Sequence, residues 1–113
     1  MEIYIKEFNK RFEVKSSNKN VKATYTLQLK MAQAEDAEDK PAVEQIKLTL
    51  QLTDDTENYV ADILRLNKQQ KEKLDDMDND VTIGMANHIA MRLMGMSEED
   101  IKKANEEDAD PKK

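Results

Sequence analysis

Residues 21–32 alternate between apolar and polar side chains over twelve positions. The apolar positions are Val21, Ala23, Tyr25, Leu27, Leu29 and Met31. A period of two is typical of a β-strand that buries one face and leaves the other in water. Residues 43–53 repeat the pattern, with isoleucine or leucine at every second position from Ile46 to Leu52. The two stretches therefore predict two long strands of one antiparallel sheet.

The N-terminal segment predicts further extended structure. Ile3 and Ile5 alternate with polar neighbours, but the apolar positions then change parity, to Phe12 and Val14. Such a change moves the apolar side chains to the other face unless a bulge absorbs it. Residues 2–15 are therefore predicted to form either one bent strand or two short strands.

Local chemistry marks the connections and the helix ends. Residues 34–42 are acidic and contain a proline, which predicts a mobile loop after the second strand. Beyond the third strand, apolar residues recur at helical spacing. Asn67–Gln70 resembles a capping box, and Gly95 predicts a helix end after which Met96 folds back on Met91. The predicted helices span residues 55–66, 68–77, 80–94 and 98–105.

Strands followed by helices, segregated along the chain, predict an α+β fold. We expect a single domain over residues 1–105. In it a three-stranded antiparallel meander (residues 2–15, 21–32 and 43–53) is followed by three or four C-terminal helices packed on the sheet. Residues 106–113 offer almost no core-forming side chains and predict a disordered acidic tail.

The charge balance narrows the class of partner. Charged residues make up 37% of the chain and the net charge is −6, so nucleic-acid phosphates repel the surface and no nucleic-acid binding is expected. No stretch approaches the roughly 20 apolar residues that a membrane-spanning helix needs. The start Met1-Glu2-Ile3 lacks the basic and apolar regions of a signal peptide. We therefore predict a cytoplasmic protein that binds neither nucleic acid nor membrane.

Side chains that carry catalysis or bind metal ions are scarce. The sequence has no cysteine, and its one histidine, His88, lies mid-helix without a nearby nucleophile, which favours a structural role. Acidic residues alternate over 76–80 as at the start of a calcium loop. However, Val81 and Asn87 stand where that loop needs glycine and glutamate. We predict a non-enzymatic protein with no cofactor and no metal.

Five of the seven methionines fall within residues 77–96. Methionine is flexible and polarisable, and it either fills gaps in a small core or binds varied apolar segments of a partner. Both interpretations stay open, but the predicted helix 80–94 carries more apolar positions than one sheet face needs. We therefore predict a protein-binding surface and expect a protein partner or a homo-oligomer to cover it. The candidate residues are Met85, Ile89, Met91, Met94 and Met96.

The stretch from Leu74 to Ile101 combines Leu-Asp-Asp-Met-Asp-Asn-Asp with Ala-Met-Arg-Leu-Met-Gly-Met-Ser-Glu-Glu-Asp-Ile. It resembles the helical part of tail assembly chaperones of long-tailed phages and prophages of Gram-positive bacteria. The resemblance implies a protein of the host bacterial cytoplasm that coats the tape-measure protein, recruits tail-tube subunits and then leaves. Such chaperones are often mostly helical, so the resemblance and the alternation predict different amounts of sheet.

Two other classes of function remain open. A small acidic inhibitor or adaptor, for example a phage-encoded mimic of nucleic acid that blocks a host enzyme, would concentrate carboxylates on one face and bind in a salt-sensitive way. Lysine and arginine are instead interspersed with the acids here. An enzyme would need His88 or acids of perturbed pKa at a pocket.

Overall fold

The computed structural model describes the backbone of residues 1–108 and the side chains of residues 1–105. In this part of the chain it is an α+β protein with a two-stranded antiparallel sheet and five α-helices. The predicted class is confirmed, but the prediction of three strands is wrong. Residues 21–32 and 43–53, where side chains alternate, are helical.

A β-hairpin forms the N-terminal part of the fold. Strands β1 (Glu2–Ile5) and β2 (Lys10–Glu13) pair with Ile3 opposite Phe12. A 3-10 turn joins them and ends at Asn9, whose φ of 48° is a left-handed conformation that asparagine tolerates. Each odd-numbered residue of β1 pairs with an even-numbered residue of β2, and the side chains of paired residues lie on the same face of the sheet. The chain reversal therefore brings the apolar residues of both strands to one face. Of the two predicted alternatives, two short strands are observed.

Helix α1 (Asn18–Glu35) takes the place of the predicted second strand. The side chain of Ser17 caps it by accepting a hydrogen bond from the backbone N–H of Asn20 at 3.1 Å. The second half of α1 consists largely of leucine, lysine, glutamine, methionine and alanine, which are strong helix formers. Thr24 and Leu27, three positions apart, are its buried residues. The helix therefore buries a different set of side chains from the one a strand would bury.

Helix α2 (Ala42–Leu64) replaces both the predicted third strand and the first predicted helix. Pro41 precedes it, and neither glycine nor proline interrupts it. Leu52 is half-buried, and Tyr59 and Ile63 are buried seven and eleven positions further along. This spacing follows one face of a continuous helix, so the sequence contains no physical break between the two predicted elements.

A short connection joins α1 to α2. It is a 3-10 turn (Asp36–Asp39) in which Ala37 is buried. The side-chain amide of Gln45 donates hydrogen bonds to the backbone carbonyl oxygens of Glu38 and Lys40, at 2.9 Å and 2.7 Å. The connection is therefore ordered and shorter than the predicted loop.

Three further helices complete the fold: α3 (Lys68–Asp75), α4 (Asn79–Leu93) and α5 (Glu98–Asp108). They lie close to the predicted helices. Helix α5 includes residues 106–108 of the predicted disordered tail, and the remainder of that tail, 109–113, lies outside the described residues. Within the described part of the chain, no helix is both long and apolar enough to span a lipid bilayer.

The predicted helix-end signals are observed. Asn67 and Gln70 form the capping box, each side chain bonding the other's backbone N–H at 2.8 Å and 2.9 Å. Gly95 has a φ of 102°, a conformation that residues with a side chain rarely adopt. The chain then folds back, and the backbone N–H of Met96 donates to the carbonyl oxygen of Met91 at 3.0 Å.

The core lies where the β-hairpin meets α2 and α4. α1 packs on α2 and on α4, and α3 on α2. The largest fully buried apolar side chains come from the β-hairpin and from three of the helices. They are Ile3, Ile5, Val14, Val60, Leu74 and Ile89.

Beyond this core, α1 and α2 continue as a helical arm, which we define as residues 28–51. Ala37 is its only buried residue. The radius of gyration is 15.1 Å, above the roughly 13 Å expected for a compact domain of this length. The arm therefore adds surface that the core does not need.

Two polar contacts join α1 to α2. The hydroxyl groups of Thr24 and Tyr59 are 2.6 Å apart in the interior. At the base of the arm, Nζ of Lys30 lies 3.0 Å from Oδ2 of Asp55. Among the described residues that oxygen has no partner with hydrogen-bond geometry, so the contact is an ion pair without a well-aligned hydrogen bond. The Asp55 carboxylate is 17% exposed, so the pair is partly shielded from water where the two helices meet.

Candidate protein-binding surfaces

The structure distributes the five predicted binding residues over three environments. Met85 and Ile89 belong to the core and are 3% and 0% exposed. Met91 and Met96 are half-buried, and Met94 is 42% exposed. Met85 and Met91 both line a groove between the β-hairpin, α4 and α5. Ile89 is enclosed by the core, and a partner could touch it only if the core opened. A binding role for this set stays a prediction.

His88 contributes to a contact between α4 and α5. Its Nε2 lies 2.8 Å from Oε1 of Glu98, and the guanidinium of Arg92 donates to Oε2 of the same carboxylate. Burial raises the pKa of Glu98, but hydrogen bonds and charge from His88 and Arg92 outweigh burial and hold that pKa below its ordinary value. The cluster tethers α5 to α4. Among the described residues, no three His, Asp or Glu side chains are placed to hold a metal ion.

A groove of about 1120 Å³ separates the β-hairpin from the outer sides of α4 and α5. Tyr4, Gly84, His88 and Met91 are among the residues that line it. Its charged lining residues are four acidic and four basic. The groove therefore lacks the one-sign charge that would identify a charged ligand.

The most exposed large aliphatic side chains lie elsewhere, on the helical arm. Val43, Ile46 and Leu50 of α2 are 63%, 66% and 63% exposed. Their spacing of three and four positions places them on one side of the helix, and we call them the α2 stripe. No described residue covers them. An aliphatic row of this kind is the sort of surface that proteins use to bind other proteins.

The same side of α2 is covered nearer the core. Glu57 and Ala61 follow Leu50 by seven and eleven positions, and Ala61 is buried. Burial, together with the nearby carboxylate of Asp75 at the end of α3, raises the pKa of Glu57 above its ordinary value. Helix α3 thus packs along this side of α2 and stops short of the arm. The α2 stripe is the uncovered continuation of a packing face.

Acidic side chains surround the end of the arm. The last residue of α1 and three residues of the connection to α2 are exposed carboxylates, and we call these four the acidic turn. They are Glu35, Asp36, Glu38 and Asp39. None of the four has an ion-pair partner among the described residues, and Lys40 is the nearest cation in sequence. The stripe therefore ends beside a local excess of negative charge.

Sequence reasoning missed the α2 stripe because it assigned this segment to a strand. In a strand Ile46 and Leu50 would share a buried face, whereas the helix leaves both exposed. The available signal was the spacing of Val43, Ile46 and Leu50, which matches the period of a helix better than the period of two of a strand. On α1, Tyr25 and Leu29 form a second exposed pair, 55% and 59% exposed, at a spacing of four.

Of three comparisons with known proteins, one gives a match, and that match covers nearly the whole chain. No curated protein and no solved structure matches it. The family model described as phage tail assembly chaperone proteins matches residues 1–108. This match extends well beyond the stretch 74–101 on which the sequence resemblance was based, and it includes both the β-hairpin and the arm. The chain belongs to the phage tail assembly chaperone family.

Proposed function

We propose that this chaperone binds the tape-measure protein and the tail-tube protein of its phage in the host bacterial cytoplasm during virion assembly. Family membership supports the general role. The observation that carries the proposal is the uncovered α2 stripe, on a chain in which apolar residues are only 38%. A contiguous row of exposed aliphatic side chains is a surface that proteins use to bind other proteins, which supports a role in holding a partner.

The size of the stripe fits a temporary contact. Fully burying one large aliphatic side chain contributes about 1.5–3 kcal/mol, and each of these three still has nearly two-thirds of its surface to bury. Three such side chains cover far less than the ~800 Å² per partner of a standard stable interface. Binding strong enough to shield a segment and weak enough to be reversed is what an assembly factor requires.

The proposal is tested by co-expressing the tagged chain with the tape-measure protein and, separately, with the tail-tube protein of the same phage. Each is expected to co-purify with the wild-type chain and not with the tag alone. Light scattering of the free chain measures the homo-oligomer that we also expect. The absence of both phage proteins from the purified wild-type chain would contradict the proposed function.

A further inference from the structure

We propose that the α2 stripe binds an amphipathic helix of a partner protein, oriented so that lysine or arginine side chains of that helix lie against the acidic turn. This inference rests on the proposed function, because it identifies the kind of segment the chaperone covers. It assigns binding to the arm, and not to the groove or to the methionines of α4.

The spacing of the stripe selects a helix as the occupant. Val43, Ile46 and Leu50 follow the three-then-four pattern of one heptad in a coiled coil. A facing helix with the same pattern places its side chains between them, as amphipathic helices do in apolar grooves. An extended segment would need an open strand edge, and the arm consists of α-helices and one 3-10 turn.

The charge at the end of the stripe selects basic residues. The acidic turn carries four exposed carboxylates within five positions. Two lysines, Lys40 and Lys47, lie near them in sequence, so the end of the arm keeps a net negative charge. Complementary charge adds little to affinity at a rim, but it fixes orientation and rejects partners of like charge. A helix with basic residues at one end therefore fits in one direction only.

The same charges disfavour a second copy of this chain on the stripe. In an antiparallel pair of α2 helices, the acidic turn of one copy would approach Asp54 of the other, because Asp54 is exposed and lies four positions beyond Leu50 on the same side of α2. A parallel arrangement would bring the two acidic turns together. Both pair carboxylate with carboxylate, which opposes association. The occupant is therefore a different protein.

The inference is tested with two synthetic amphipathic peptides that share the same leucine pattern. One carries lysine and the other glutamate on the flanks at one end. Binding is measured by fluorescence anisotropy with the full chain. Wild type is expected to bind the lysine peptide at least about tenfold more tightly than the glutamate peptide, with a preference that shrinks as salt is added.

Variants locate the site. Ile46→Glu is expected to weaken binding of the lysine peptide at least about tenfold, because it places a charge at the centre of the apolar contact. Leu50→Gln repeats the test with a milder substitution. Its matched control is Leu29→Gln, which makes the same change at a similarly exposed leucine of α1 and should leave binding unchanged. Circular dichroism verifies that each variant is folded.

A charge-reversal pair tests orientation. Glu38→Lys with Asp39→Lys is expected to abolish the preference for the lysine peptide. These substitutions leave the turn intact because Gln45 bonds the backbone oxygen of Glu38 and not its carboxylate. Asp62→Lys with Glu99→Lys changes the net charge equally at exposed positions outside the arm and should preserve the preference.

Three outcomes would overturn the inference: binding of neither peptide by wild type, equal binding of both peptides, or equal loss with Leu29→Gln and Ile46→Glu. The co-purification experiment separates this inference from the proposed function. If the tape-measure protein co-purifies equally with wild type and with Ile46→Glu, the chaperone function stands and the assignment to the stripe fails. If it does not co-purify with wild type, the function itself fails.

Discussion

Replacing Thr24 by valine is expected to destabilise the fold by about 1–3 kcal/mol, which is the typical cost of leaving a buried hydrogen-bonding group without a partner. Thr24 is fully buried, and its hydroxyl donates to the backbone carbonyl oxygen of Asn20 at 2.9 Å. Since that hydroxyl has one hydrogen, the 2.6 Å contact with Tyr59 must be donated by the tyrosine. Valine keeps the shape but removes the acceptor, so the phenol hydroxyl is left unpaired in the interior.

Replacing the other partner of this bond, Tyr59, by phenylalanine is expected to cost less. In Tyr59→Phe the threonine still donates to Asn20, and the loss should be about 0.5–1.5 kcal/mol, as for an ordinary hydrogen bond. In the double variant Thr24→Val with Tyr59→Phe both partners are apolar. Its cost should therefore fall below the sum of the single costs by at least about 0.5 kcal/mol.

Urea denaturation followed by circular dichroism measures all three variants, with shifts in midpoint at constant slope. The reasoning is refuted if Tyr59→Phe costs as much as Thr24→Val, or if the two costs simply add. An alkaline titration gives an independent measurement. Burial raises the pKa of the Tyr59 phenol above its ordinary value. The stabilisation is therefore complete below the unfolded pKa and lost as pH rises through the folded one, and Tyr59→Phe should remove this contribution.

Further predictions concern stability. Gly84→Ala is expected to raise the free energy of unfolding by about 0.5–1 kcal/mol because Gly84 is helical with open space around it. Gly95→Ala should lower the free energy of unfolding by about 1 kcal/mol or more because Gly95 has a positive φ. Thermal melts compare the two variants. Glu57→Gln should stabilise the protein at neutral pH, since burial and Asp75 disfavour the ionised carboxylate, and the gain should vanish as pH falls below 4.5. Ile89→Ala should lower the free energy of unfolding by about 2–5 kcal/mol, measured by chemical denaturation. Any loss of partner binding by this variant should then equal the fraction of the protein that is unfolded.

Helix ends were predictable from the sequence because single residues encode them. Asn67, Gln70 and Gly95 act through bonds and backbone angles within one turn, so no distant contact is needed to place them. The two short strands were also among the predicted alternatives. The apolar residues change from odd to even positions after Ile5 because the chain reverses there.

The arm was not predictable by alternation alone because two periods coexist in the same residues. In α1 the buried pair Thr24 and Leu27 has helical spacing, while the exposed Tyr25 and Leu29 flank Leu27 at odd-numbered positions and so imitate a strand. Exposed side chains thus contribute to the false signal. A surface that serves a partner adds apolar residues that the fold does not require, and those residues obscure the period of the core. Correcting the strands to helices also brings the fold into agreement with the mostly helical character that the resemblance implied.

The most direct test of the account is hydrogen exchange of the chain alone and in complex with the tape-measure protein. If the arm is the surface that binds, backbone amides of α2 within residues 42–51 should exchange more slowly in the complex, while those of β1 keep their rates. Protection confined to β1, α4 and α5 around the groove, with an unchanged arm, would contradict the account.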